Sequence, residues 1–172
     1  MKKILASIIL LILVSVPGYS SEKIVYLDVE KIMQESIAGK SIIAQLKKKR
    51  EASISKFKKK EKEIIEKEKK LISQKNVLSK EEFESKLKEL RSDISNYQKD
   101  RNNTNNEIAR SRIKTSTKLI NKLTPILEEY SKINSIRIIV QKKNIVMGKK
   151  EDDITKDILE LVNQKVKIIK LD

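Results

Sequence analysis

The one compact acidic group in this chain is Glu151-Asp152-Asp153. Three adjacent carboxylates could hold Ca²⁺ weakly, but a dedicated calcium loop spaces its oxygen ligands at alternate positions around a glycine turn. This run has no such spacing. Its plainer role is to cap a helix, because Ile154, Ile158, Leu161, Val162 and Val166 follow on one helical face. The remaining carboxylates alternate with lysine, as in Lys58-Lys59-Lys60-Glu61-Lys62-Glu63. That pattern belongs to a solvated helix face rather than to a catalytic pair. The chain has no His and no Cys. The commonest general base, the imidazole metal ligand, the thiolate nucleophile and the disulfide are therefore all missing. These residues predict a protein that is not an enzyme and that uses no metal or cofactor.

What remains is binding chemistry. Lys and Arg number 39 against 24 Asp and Glu, a net charge of +15. Two of those lysines, Lys2 and Lys3, precede an apolar run from Ile4 to Val16, which Pro17 breaks before Gly18 and Ser20. This is the pattern of a secretory signal peptide over residues 1–20, cut near Ser20. The run falls short of the roughly 18–20 residues that would make it an uncleaved anchor. Without those two lysines, 37 basic residues face 24 acidic ones, or +13. Such a field attracts acidic partners and anionic lipid. Nucleic acid would suit the charge too, but export argues against it. Lys, Ile and Asn are also residues of A/T-rich codons, so part of the excess can reflect genome composition.

The elements that would carry this charge are mostly helices. Charged residues make up 37% and aromatics 3%, with only three Gly and two Pro, which favours long helices over a thick core. Ile43, Leu46, Arg50, Ser53, Phe57, Glu61, Ile64, Glu68, Leu71, Lys75 and Leu78 trace a diluted coiled-coil stripe. Ser79 with Glu82 reads as a capping box that opens a second long helix. Its stripe runs through Phe83, Leu87, Leu90, Ile94 and Tyr97 to Ile108, then slips and resumes at Ile113, Ser116, Ile120 and Leu123. Two long helices joined by a short turn run antiparallel. Pro125 should kink the second or mark a change of partner. At the ends the pattern becomes β-like: Lys23–Leu27, Ile136–Val140 and Ile145–Met147, with Lys167–Leu171 as a further edge. Asp28 can cap a short helix carrying Val29, Ile32 and Met33, and Ala38-Gly39-Lys40 can turn the chain. The simplest geometry pairs the strand at Ile24 with those at Ile138 and Val146. The predicted fold is mainly α with a small β body built from both chain ends. Residues 21–39 and 131–172 form the body, and residues 40–130 form a projecting α-hairpin. So small a sheet calls for oligomerisation, with Ile24, Val25, Leu27, Ile138, Val140 and Val146 as the expected interface. On the arm, Phe57, Ile64, Phe83 and Ile94 are the expected apolar contacts for a bound chain.

Several segments carry a resemblance. Lys23-Ile24-Val25-Tyr26-Leu27-Asp28, Ile32-Met33-Gln34-Glu35-Ser36, Ala38-Gly39-Lys40, Leu78-Ser79-Lys80-Glu81-Glu82 and Asp153-Ile154-Thr155-Lys156-Asp157-Ile158-Leu159 resemble the Skp/OmpH-like family of periplasmic chaperones. The resemblance implies a homotrimer whose α-hairpin tentacles surround a central cavity. It also implies an ATP-independent periplasmic holdase for unfolded outer-membrane proteins. Some members associate with lipopolysaccharide, and the basic faces would suit it or an anionic membrane surface, but no local motif carries that site over. The rival reading, a structural coiled-coil or envelope-surface protein, would want stronger heptads and no β segments at the ends.

Overall fold

The computed structural model describes residues 23–171. The expected signal peptide lies outside them. Strand β1 (Lys23–Leu27) leads into helix α1 (Val29–Glu35), where the Asp28 carboxylate accepts from the Lys31 backbone N–H at 2.9 Å. Ser36 ends α1 and begins helix α2 (Ile37–Ser73). Its extended backbone makes the corner, and its Oγ accepts from Gly39 N–H at 3.0 Å. The chain therefore turns at Ser36, and Ala38-Gly39-Lys40 is already helical.

Gly39 serves a close approach rather than a turn. A Cβ at this position would stand 2.0 Å from the Met33 carbonyl oxygen of α1. Replacing an interior helical glycine by Ala ordinarily stabilises by about 0.5–1 kcal/mol. Here the sign reverses, because α1 must be pushed off α2. Gly39→Ala is expected to cost about 1–3 kcal/mol, the usual range for overpacking. A thermal melt followed by circular dichroism should show Tm down by several degrees, and an unchanged Tm would refute the close contact.

Helix α2 has 37 residues and helix α3 (Lys80–Ile133) has 54. At 1.5 Å per residue they reach about 55 and 80 Å. Ser79 and Glu82 form the expected reciprocal capping box, Glu82 N–H to Ser79 Oγ at 3.2 Å and Ser79 N–H to Glu82 Oε2 at 3.1 Å. The helices are antiparallel, as the cross-contacts prove. Lys49 meets Ser111 at 3.4 Å, Lys60 meets Asp100 at 2.9 Å and Lys67 meets Asp93 at 2.6 Å. Each advance along α2 is matched by an equal retreat along α3. Pro125 lies inside the unbroken α3, where Leu119, Leu123 and Ile126 leave the hairpin seam for the core of the body.

Ser135, with φ 52°, closes α3 in the left-handed region and turns the chain into strand β2 (Ile136–Gln141). β2 lies parallel to β1, with Ile24 opposite Ile138, Val25 opposite Ile139 and Leu27 opposite Gln141. A parallel pair needs a long crossover, and the whole hairpin supplies it. The expected third strand is absent. Lys142–Asn144 form a 3₁₀ turn that carries the chain off the sheet, leaving Val146 and Met147 exposed and paired with neither strand. The tail at Lys167–Leu171 is not a strand either. The Gln45 amide donates to the Ile169 carbonyl at 2.8 Å and accepts from Leu171 N–H at 3.1 Å, so one side chain of α2 does the work of an edge. Helix α4 (Thr155–Lys165) buries Ile158 and Val162 against Leu27, Ile32 and Leu119.

Candidate binding surface of the hairpin

Within the acidic run Asp153 is tied into the fold, but it is not the expected helix cap: Ile154 is the N-cap of α4, with no side-chain cap bond. Asp153 Oδ1 accepts from Thr155 N–H at 3.0 Å, and Oδ2 from Lys142 Nζ at 3.1 Å. Burial pushes this carboxyl up, but the bonds from Thr155 and the Lys142 ammonium outweigh it and hold it below the ordinary value. Among the described residues no cluster of three or more carboxylates is placed to hold a metal. Tyr130 fastens α3 to α4 through a 2.6 Å hydrogen bond to Asp157; burial first, then that carboxylate, pushes the phenol up to about 12.

The hairpin seam uses part of the expected stripe. Phe57 is buried and meets Tyr97 edge-on at 5.9 Å, and Leu71 and Leu90 are buried. Ile64, Phe83 and Ile94 are half-buried along the same seam. The four arm residues expected to meet a bound chain are thus largely occupied by the hairpin itself. The polar slots fall one residue earlier than the heptad suggests: Lys49, Lys60 and Lys67, not Arg50, Glu61 and Glu68, reach across to α3. The expected slip after Ile108 does not occur. Ser111, Thr115 and Leu119 continue the seam, and Ile113 and Ile120 point elsewhere. Thr115 can be buried because its hydroxyl donates to the Ser111 carbonyl at 2.6 Å.

The displaced isoleucines form a surface of their own. Ile43, Ile54, Ile65 and Ile72 of α2 are exposed, as are Ile113 and Ile120 of α3. At about 100° per residue, steps of eleven and seven return within about 20° of the same direction. The four α2 isoleucines therefore share one line, about 90° round from the seam. On α3 the two isoleucines lie about 120° round from Thr115 and Leu119. Lys49, Lys60 and Lys67 sit on the other flank of the α2 seam, and their partners Ser111, Asp100 and Asp93 on the other flank of the α3 seam. Those groups touch, so they mark one common edge of the hairpin. All six isoleucines face the opposite side. The edge bearing the cross-links presents no large apolar residue along the arm, so the hairpin is one-sided.

This surface runs down into the body. Ile120, Thr124 and Leu127 of α3, with Val29 and Ile139, line a groove of about 220 Å³ between the hairpin foot and β2. On the sheet, Ile24 and Ile138 are adjacent and exposed and Val140 is half-buried. Val25 and Leu27 alternate to the inner face and are buried in the chain's own core. Val146 is fully exposed beside the sheet.

A family model described as outer membrane protein (OmpH-like) matches residues 23–162, from β1 into α4. The chain belongs to the OmpH-like family. A crystal structure from Caulobacter crescentus, described as a candidate outer membrane chaperone (OmpH-like), has the same fold, with a TM-score of 0.82 at 14% identity. The match covers 90% of this OmpH-like chain and 92% of that one. No curated protein matches the sequence.

Proposed function

We propose that this OmpH-like protein is a periplasmic holdase chaperone, exported by its signal peptide, that captures unfolded outer-membrane proteins without ATP. The observation that carries the proposal is the one-sided arm. A line of separate isoleucines on a charged hairpin offers many weak apolar contacts and no single deep pocket. Such a surface can shield an unfolded chain and still release it. It performs no bond chemistry, in keeping with a chain that has neither His nor Cys. The bodies assemble as a trimer through the outer sheet face, Ile24, Ile138 and Val140, with Val146 and Met147 supplying further apolar contact. Three isoleucine faces would then line the space between the arms.

The direct test is aggregation of an outer-membrane protein diluted from denaturant, with and without this protein and without nucleotide. Failure to suppress light scattering would sink the proposal. Salt should separate its two forces. The +13 of the mature chain attracts clients over a range that shrinks to about 8 Å at physiological salt, whereas apolar contacts do not weaken with salt. Stopped-flow association with an acidic client is therefore expected to slow several-fold in high salt, with suppression at equilibrium retained. Complete loss of suppression would mean that charge alone binds the client.

A further inference from the structure

The net charge of the chain is confined to one level of the arm. The Lys49–Ser111 and Lys60–Asp100 contacts set residues 40–60 of α2 alongside residues 101–122 of α3. This band is about 30 Å long at 1.5 Å per residue. It holds 15 Lys and Arg against two carboxylates, Glu51 and Glu107. The outer arm, residues 61–100, holds ten basic and ten acidic residues, and the rest of residues 21–172 holds 12 of each. The whole +13 of the mature chain therefore sits in the lower arm. In the outer arm the charges answer one another, as Lys67 does with Glu89 and Asp93, and Lys69 with Glu66. In the band two carboxylates cannot match fifteen cations, and one of the two, Glu51, already leans on Lys47 at 3.9 Å. Lys48, Arg50, Lys58 and Lys59 of α2 and Arg110 and Arg112 of α3 are all exposed. Small counter-ions screen them in the free protein, and a polymer of carboxylates can replace those ions.

We infer that this band docks an acidic stretch of unfolded polypeptide, extended along the arm. The inference rests on the holdase reading and adds which client segments the arm holds, and at what height. The position of the band selects a flexible chain over a membrane. A bilayer met by the tip lies beyond the outer arm, about 20 Å along α2 and 30 Å along α3. That is several times the ~8 Å screening length, so the bilayer meets a neutral arm and feels little of the band. In the trimer three bands face one space, and a slender polymer of opposite sign can enter it. An extended chain advances about 3.3 Å per residue, so about nine or ten residues run the length of the band. Exposed charge contacts are individually small. The band therefore gathers and aligns an acidic stretch, while the isoleucines shield apolar ones.

The probe is a fluorescent peptide of about ten residues, aspartate alternating with serine and free of apolar side chains. Its twin carries lysine in place of aspartate. Fluorescence anisotropy with the full mature chain at low salt should show the acidic peptide bound and the basic one not. A band variant, Lys48→Gln, Arg50→Gln, Lys58→Gln, Lys59→Gln, Arg110→Gln and Arg112→Gln together, should weaken acidic-peptide binding at least about tenfold. An outer-arm variant removes as much charge: Lys62→Gln, Lys69→Gln, Lys70→Gln, Lys75→Gln, Lys86→Gln and Lys88→Gln. It should change binding less than about twofold. The chain has no cysteine, so single photo-crosslinking labels at Ser55→Cys and Ser95→Cys compare band and outer arm with every lysine in place. Stronger acidic-peptide crosslinking at 55 is expected. Equal losses from the two sixfold variants would mean that net charge alone matters, and would overturn the inference. Equal crosslinking at the two positions, or no binding of the acidic peptide, would overturn it as well. Phosphatidylglycerol vesicles at physiological salt are expected to retain none of the protein. Retention that the band variant loses and the outer-arm variant keeps would make a membrane the occupant and overturn the inference too. Failure of the wild-type protein to suppress aggregation while it still binds the acidic peptide would instead remove the holdase reading beneath it.

Discussion

Excising residues 50–110 and joining Lys49 to Ser111 by a short turn will leave the body folded and abolish client holding. The cut falls where the two helices already touch, Lys49 Nζ to Ser111 Oγ at 3.4 Å, so a short bridge strains neither. All of the central core lies outside the excised stretch, from Val25, Ile32 and Ile42 through Leu119, Leu123 and Ile126 to Ile158 and Val162. The buried residues lost, Phe57, Leu71 and Leu90, belong to the seam of the arm. The cross-links lost with them, such as Lys60–Asp100 and Lys67–Asp93, are exposed ion pairs of small net worth. A cooperative thermal transition should persist, and suppression of aggregation should vanish entirely. Sedimentation or light scattering would report assembly at the same time. Dissociation to monomers would show that the arms, rather than the sheet faces, hold the proposed trimer together.

The elements legible in the sequence were those fixed by local chemistry. Asp28 and the Ser79–Glu82 pair announce helix starts because a side-chain oxygen there satisfies an otherwise orphaned N–H. The pairing of Ile24 with Ile138 followed from β-branched runs at both ends of a chain whose middle could only be helical. The segment Ile145–Met147 misled for the same reason. Its composition favours a strand, but the 3₁₀ turn at Lys142–Asn144 takes the segment away from the sheet, and nothing in Val146 encodes that turn. The tail was masked differently: Gln45, distant in sequence, supplies the hydrogen bonds that a strand neighbour would have made.

The isoleucine face escaped a heptad reading because the arm does not keep a strict seven-residue period. From Lys49 to Lys60 the seam advances by eleven residues, closer to a straight helix than to a supercoil. A heptad grid laid over it drifts, and assigns Ile43 and Ile113 to the seam while Thr115 is passed over. The signal was present in the regular spacing of Ile43, Ile54 and Ile65. An eleven-residue recurrence of one bulky residue on an otherwise charged helix cannot lie in the same line as Phe57 and Leu71. It has to mark a second stripe.

That second stripe gives the other large expected effect. Replacing any one of the six isoleucines by Gln should barely alter capture, and replacing all six should eliminate it with the fold intact. An exposed Ile→Gln change away from special contacts alters stability by about 0.5 kcal/mol or less, and Gln is the better helix former, so the hairpin should keep its helicity. On the client side, a large apolar residue contributes at most about 1.5–3 kcal/mol when fully buried. A side chain already half-covered and seated on a long arm contributes less, near 1 kcal/mol, which a mobile client recovers by shifting to a neighbouring isoleucine. Six together sum to several kcal/mol, about a thousandfold or more in affinity. The measurement is the dose of protein that halves aggregation of a diluted outer-membrane protein, with far-UV circular dichroism as the control on folding. One single variant that abolished capture would point to a defined pocket and end the many-weak-contacts mechanism. A sixfold variant that captured as well as the original would move the client off this face, leaving the basic residues to hold it. The two outcomes pull in opposite directions, so the pair of measurements decides how the arm grips: by one anchor, by charge alone, or by the whole line of isoleucines acting together.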